Sequence, residues 1–161
     1  MWKIILKVIA FVFLVIFQLA IVTKLSIGGA IPNFLLIIAI SLIFRGQSDN
    51  GLLLGGISGL LLDLVSPLRF GAYTLFFMIV LLIINFYILK IFPVPSLGIS
   101  FLIFVASLLL VDLGLFLFMG HWPFWQIFPQ AIINGIWGVL IYWILKKVIP
   151  VREEIRIGQS S

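Results

Sequence analysis

Two carboxylates, Asp63 and Asp112, stand inside long apolar stretches, and an amide, Asn134, stands inside a third. Ionisable side chains in such surroundings are costly, so they face a bundle interior or water and take partners there. If the stretches are helices threaded through a bilayer, the three groups fall at similar depth on three different helices. One use is an interhelix hydrogen-bond network. Another is local: Asp63 pairing with Arg69 or capping the turn that follows, and Asp112 making a structural hydrogen bond. A proton or cation relay would need a chain of such groups through the whole depth, which these three do not make. Gln18 and Asn85, in other stretches, read as packing hydrogen bonds.

A second pattern precedes Asp63. Gly51, Gly55 and Gly59 recur every fourth residue, with Gly56 and Ser58 between them. That spacing puts the glycines on one helix face, where missing side chains allow another helix to come close. Such a face accepts a helix of this chain or one of a partner, and spacing alone does not choose. A phosphate loop is excluded because no Gly-Lys-Ser/Thr follows.

Other chemistry is sparse. There is no cysteine, which removes disulfides, thiolate metal sites and cysteine nucleophiles. His121 is the one histidine, with no companion ligand nearby. No nucleophile–base–orienter set emerges, so no enzyme activity, metal or cofactor is expected. Trp122 and Trp125 read as an outer aromatic belt, and Tyr142 and Trp143 as an inner one. Lys146, Lys147, Arg152 and Arg156 form a basic inner surface that would attract anionic lipids at ~1 kcal/mol each. Glu153 and Glu154 partly offset it.

The elements that must position these residues follow from composition. Of 161 residues, 64% are hydrophobic and 9% charged, against about 25% charged in soluble domains. Such a chain cannot cover itself with a polar surface, and the expectation is an all-α polytopic transmembrane bundle. The net charge of +5 sits at the ends of apolar runs rather than on an aromatic-studded soluble face, which argues against nucleic acid.

Six segments are predicted, at about 4–22, 31–44, 51–65, 71–92, 97–119 and 128–149. Residues 1–150 form one membrane domain and 151–161 a short cytoplasmic tail. Lys3 and Lys7 before an apolar run resemble a signal peptide, but the run is long and lacks an A-x-A-like site, so an uncleaved first helix is expected. Segments one, four, five and six suit a ~30 Å hydrocarbon layer. Segments two and three reach only about 21–22 Å, consistent with short spans or a re-entrant pair. The polar turn of Arg45, Gln47, Ser48, Asp49 and Asn50 between them prefers water and favours two short spans.

With the N-terminus inside, six spans place Lys3, Lys7, Arg45, Lys90, Lys146, Lys147, Arg152 and Arg156 on the inner side and only Lys24 and Arg69 outside. The positive-inside rule therefore puts both termini in the cytoplasm. An odd number of spans would split the basic ends between the two sides.

The order of Ile31-Pro-Asn-Phe-Leu-Leu, then Gly51-Leu-Leu-Leu-Gly-Gly-Ile-Ser-Gly-Leu-Leu-Leu-Asp63, then Pro67-Leu-Arg-Phe-Gly71, resembles the MreD family of bacterial rod shape-determining membrane proteins. Gln130-Ala-Ile-Ile-Asn134 is similar to its last segment. The resemblance implies a non-enzymatic scaffold of the cell-elongation and lateral peptidoglycan synthesis machinery in the bacterial inner membrane. It implies association with an MreC-type bitopic protein, the MreB filament, and the wall-synthesis polymerase and transpeptidase. Gly51, Gly55, Gly59 and Ser58 would then be a docking surface, with Asp63 fixing the turn beyond it. The competing expectation is the substrate-binding subunit of an energy-coupling-factor vitamin transporter, with a polar cavity near Asp63, Asp112, Asn134 and Trp122. A small exporter or flippase is less apt, because segments one to three do not repeat in segments four to six.

Overall fold

The computed structural model describes residues 2–20, 30–66, 70–119 and 124–149. Lys24, Arg69, His121, Trp122, Arg152, Glu153, Glu154 and Arg156 lie outside them, as do residues 67–69 of the quoted turn and the tail. The described residues are all-helical, in six helices: α1 (Trp2–Ala20), α2 (Phe34–Phe44), α3 (Ser48–Val65), α4 (Ala72–Ile91), α5 (Leu97–Met119) and α6 (Phe124–Val148). Four of these, α3 to α6, are long and apolar enough to cross a membrane. Their outward faces carry large apolar side chains such as Leu64, Phe86, Leu102, Leu117 and Ile136, as hydrocarbon surroundings require.

The two short segments turn out unequal. The third gains a turn, because Ser48, Asp49 and Asn50 are helical rather than part of the connection, and the 18-residue helix rises about 27 Å. An acidic residue in a first turn suits the helix dipole, and Asp49 is there. The second shrinks to 11 residues, about 16 Å. α2 is apolar all round and almost wholly buried, which marks a central helix rather than a lipid-facing one. Phe34 meets Trp137 edge-on at 5.4 Å, and Phe44 meets Phe104 at 5.8 Å and Tyr142 at 5.4 Å, so α2 is held by α5 and α6. α1 is peripheral, burying little beyond Val15 and Gln18.

The polar turn after α2 is also drier than expected. Arg45 is only 4% exposed, and its guanidinium donates from Nε to the Ile149 carbonyl at 2.8 Å and from Nη2 to the same oxygen. That carbonyl ends α6, where the helix dipole is negative and an arginine is favoured. This partner lies 104 positions away, so no local signal separates Arg45 from the water-seeking residues beside it. Lys7 donates to Asn50 at 2.9 Å and Ser48 to Asn85 at 2.6 Å. Asn85 stands in a π turn of α4, Ile84–Ile88. These contacts gather Lys7, Arg45, Lys90, Lys146 and Lys147 at one end of the bundle, the basic end. At the opposite end α1, α3 and α5 finish and α4 and α6 begin, while α2 begins deeper, level with Asn134.

Candidate functional site

The glycine face of α3 is filled by the chain's own helices. A Cβ on Gly51 would stand 2.7 Å from the Ala39 carbonyl oxygen in α2, one on Gly55 would strike Leu81 of α4, and one on Gly59 would stand 2.6 Å from Thr74 Cα. Ser58 is buried beside them, and its hydroxyl has no hydrogen-bond partner among the described residues. Of the two uses open to Gly51, Gly55, Gly59 and Ser58, close packing within the chain is the one seen: α2 and α4 lie against that face. Similar close approach recurs at Gly135 and Gly138, where α6 meets Phe101 and Phe104 of α5.

Gly59 and Asp63 work as one unit, four residues apart on α3. The glycine lets the start of α4 come close, and the carboxylate then receives the backbone amides exposed there. Tyr73 N donates to Asp63 Oδ1 at 2.8 Å, Thr74 N to Oδ2 at 3.0 Å, and Thr74 Oγ1 to Oδ2 at 2.6 Å. A helix N-terminus leaves four amides without intrahelical partners and carries partial positive charge. Asp63 answers both needs from a neighbouring helix. Gly71, with φ of 97°, makes the left-handed turn that leads into α4.

Asn134 and Gln18 do comparable work on the stretch before α2. There the chain is non-helical at residues 31–33, and its backbone groups need partners inside the bundle. Gln18 donates to the Pro32 carbonyl at 2.7 Å and accepts from Phe34 N at 3.1 Å. Asn134 accepts from Asn33 N at 2.5 Å and donates to the Gln130 carbonyl at 2.8 Å. Asn33 itself caps α2, accepting from Leu36 N at 3.2 Å. The Pro-Asn pair before an apolar run was the available signal for this cap. The length of α2 follows: two amides on α1 and α6 allow the helix to start deep in the bundle.

Asp112 has no such duty. It is 8% exposed, and its Oδ2 has no hydrogen-bond partner among the described residues. It lines a cavity of about 230 Å³ at the end opposite the basic one, with Gln18, Asn33, Tyr73, Gln126 and Gln130 among the other walls. Asp63, Asp112 and Asn134 therefore surround one region without bonding to each other: Tyr73 links Asp63 to the cavity, and Asn33 links Asn134 to it. No local pattern in the sequence marks Gln126 or Gln130, one turn apart on α6, for a role of its own. α6 starts at Phe124, four residues before the predicted start, and so carries Gln126 into the bundle wall.

At the basic end Lys146 and Lys147 are exposed, and Lys147 Nζ lies 3.6 Å from the Trp143 ring centroid. No group of three metal-ligating side chains occurs among the described residues. No protein-family model matches the chain, and neither a curated protein nor a solved structure matches it.

Proposed function

We propose that the chain is a non-enzymatic scaffold of the bacterial cell-elongation machinery, seated in the inner membrane with both termini in the cytoplasm. One observation carries this reading: nearly all the buried polar side chains serve the bundle's own backbone. Buried Gln18, Arg45, Asp63 and Asn134, with half-buried Asn33, each satisfy main-chain groups of a neighbouring or following helix. A bundle so braced internally, with apolar outer faces, suits a platform on which other membrane helices assemble. The gathering of Lys7, Arg45, Lys90, Lys146 and Lys147 at one end favours placing that end in the cytoplasm. The resemblance of residues 31–71 to the MreD family favours an MreC-type bitopic protein, MreB and the wall-synthesis enzymes as direct or indirect partners. Because α2 and α4 occupy the glycine face, such partners would dock on the outward faces, among membrane lipids.

The vitamin-transporter reading has the cavity at Asp112 in its favour. At about 230 Å³ that cavity is smaller than the ~300–1,000 Å³ typical of sites for drug-sized ligands. The scaffold is the better account. Purifying the tagged chain in mild detergent and identifying what accompanies it tests the two readings. Cell-wall machinery is the expected result. A vitamin in place of it overturns the proposal. Protease applied outside intact spheroplasts should spare the C-terminal tail, and its cleavage there would reverse the orientation.

A further inference from the structure

The orphaned oxygen of Asp112 is the one buried carboxylate oxygen without a partner among the described residues. An unpaired charge removed from water is among the most costly groups a fold can hold. Asp112 also lines a cavity rather than standing wholly among close-packed side chains, so a ligand has room beside its carboxylate. The walls narrow what that ligand is. Gln18 and Asn33 line the cavity, but their amides already hold the backbone around Pro32, Phe34 and Leu36. Gln126 and Gln130 have side-chain amides with no hydrogen-bond partner among the described residues, and Gln126 is exposed where the cavity meets the surface. No lysine, arginine or histidine is among the lining residues.

One carboxylate with two neutral amides gives a single negative charge and several oxygen acceptors. That set is too weakly charged for a divalent metal, which takes several carboxylate or carbonyl oxygens in a closed shell. It fits a primary ammonium, whose three N–H donors need three acceptors and whose one positive charge needs one counter-ion. Tyr73, on the wall from α4, adds an aromatic ring of the kind that attracts such cations. We propose that this cavity binds a primary ammonium group, with the Asp112 carboxylate as counter-ion and the Gln126 and Gln130 amides as hydrogen-bond acceptors. The ammonium arrives either on a phosphatidylethanolamine headgroup or on a free small amine. This inference is independent of the scaffold reading.

The full chain in nanodiscs tests it with two probes. Native mass spectrometry measures retention of phosphatidylethanolamine against phosphatidylcholine, whose quaternary nitrogen has no N–H. The thermal unfolding midpoint is followed with added ethanolamine against added choline. Selective retention of phosphatidylethanolamine assigns the lipid source, and stabilisation by ethanolamine alone assigns the free amine. Either supports the site, provided that Asp112→Asn weakens the effect by about tenfold or more, as loss of a charge-assisted bond predicts. The double variant Gln126→Leu/Gln130→Leu should weaken it several-fold, and it gives the decisive reading if Asp112→Asn does not fold. Equal behaviour of the ammonium and quaternary probes, or a folded variant that binds as the parent does, overturns the proposal.

Discussion

Asp63 and Asp112 are the same residue type, at the same end of one bundle, and are 4% and 8% exposed. Asp63 is met by three donors from a single turn of α4, whereas Asp112 keeps an oxygen without any. The difference comes from what lies opposite. Asp63 occupies the last turn of α3 and faces a helix N-terminus brought close by Gly59, so the amides it meets are the ones every helix start leaves free. Asp112 sits within α5, and the cavity wall across from it offers side-chain amides at the start of α6. Burial alone therefore does not say what a carboxylate is for. Whether its lone pairs are used by the chain itself separates a structural group from one left for a ligand.

The largest effect is expected at the glycine on which the capped carboxylate depends. Gly59→Leu forces a side chain against Thr74 Cα and N, which are backbone atoms and cannot rotate away. Overpacking costs about 1–3 kcal/mol when side chains can yield, and more when they cannot. The expected outcome is loss of folded protein in detergent, read by size-exclusion chromatography. Gly55→Leu should be milder, because the atom it meets belongs to the Leu81 side chain. Equal loss at both sites would mean that α4 is not anchored through Thr74.

Asp63→Ala comes next. It leaves the Tyr73 and Thr74 amides without their acceptor, and hydrogen bonds to charged groups contribute about 1.5–3 kcal/mol. A destabilisation of about 3 kcal/mol is expected in a reversible unfolding titration with denaturing detergent. A loss under about 1 kcal/mol would place Asp63 beside Asp112 rather than opposite it, and the contrast between them would fall.

The sequence carried the all-helical architecture, because apolar run length and Gly/Pro punctuation are local signals. It also located Asp63, Asp112 and Asn134 as residues with work to do. What it could not carry is pairing at distance. Arg45 sits in a run of polar residues, and nothing local says that the Ile149 carbonyl will cover it. The length of α2 is legible only in part for a related reason: the Pro-Asn pair before Phe34 signals a cap, but nothing local says that Gln18 and Asn134 hold the preceding residues out of the helix. The glycine spacing was plain, but its tenant was not, since a helix of this chain and one of a partner ask for the same small residues.

Asn134→Ala should have a smaller effect than either change near Thr74. It removes the acceptor of Asn33 N at a point where α2 is also held by Gln18 and by ring contacts with α6. Interhelical hydrogen bonds within membranes average about 0.6 kcal/mol and reach about 1.7. About 1 kcal/mol is expected in the same titration. A loss as large as that of Asp63→Ala would show that the non-helical stretch before α2, rather than the α3–α4 turn, is the weaker joint.

The smallest change in stability is expected at the other carboxylate. Asp112→Asn keeps the shape of the side chain and removes a buried carboxyl whose Oδ2 no described residue satisfies. Replacing such a group breaks no bond at that oxygen, so in lipid free of primary amines the variant should be as stable as the parent or more so. Added ethanolamine or phosphatidylethanolamine should reverse the order, because only the parent then gains a counter-ion and a bound ligand stabilises the state that binds it. The sign of the difference between parent and variant, measured with and without the amine, is thus the observable. An Asp112→Asn loss close to that of Asp63→Ala, unchanged by amine, would mean that both carboxylates brace the bundle.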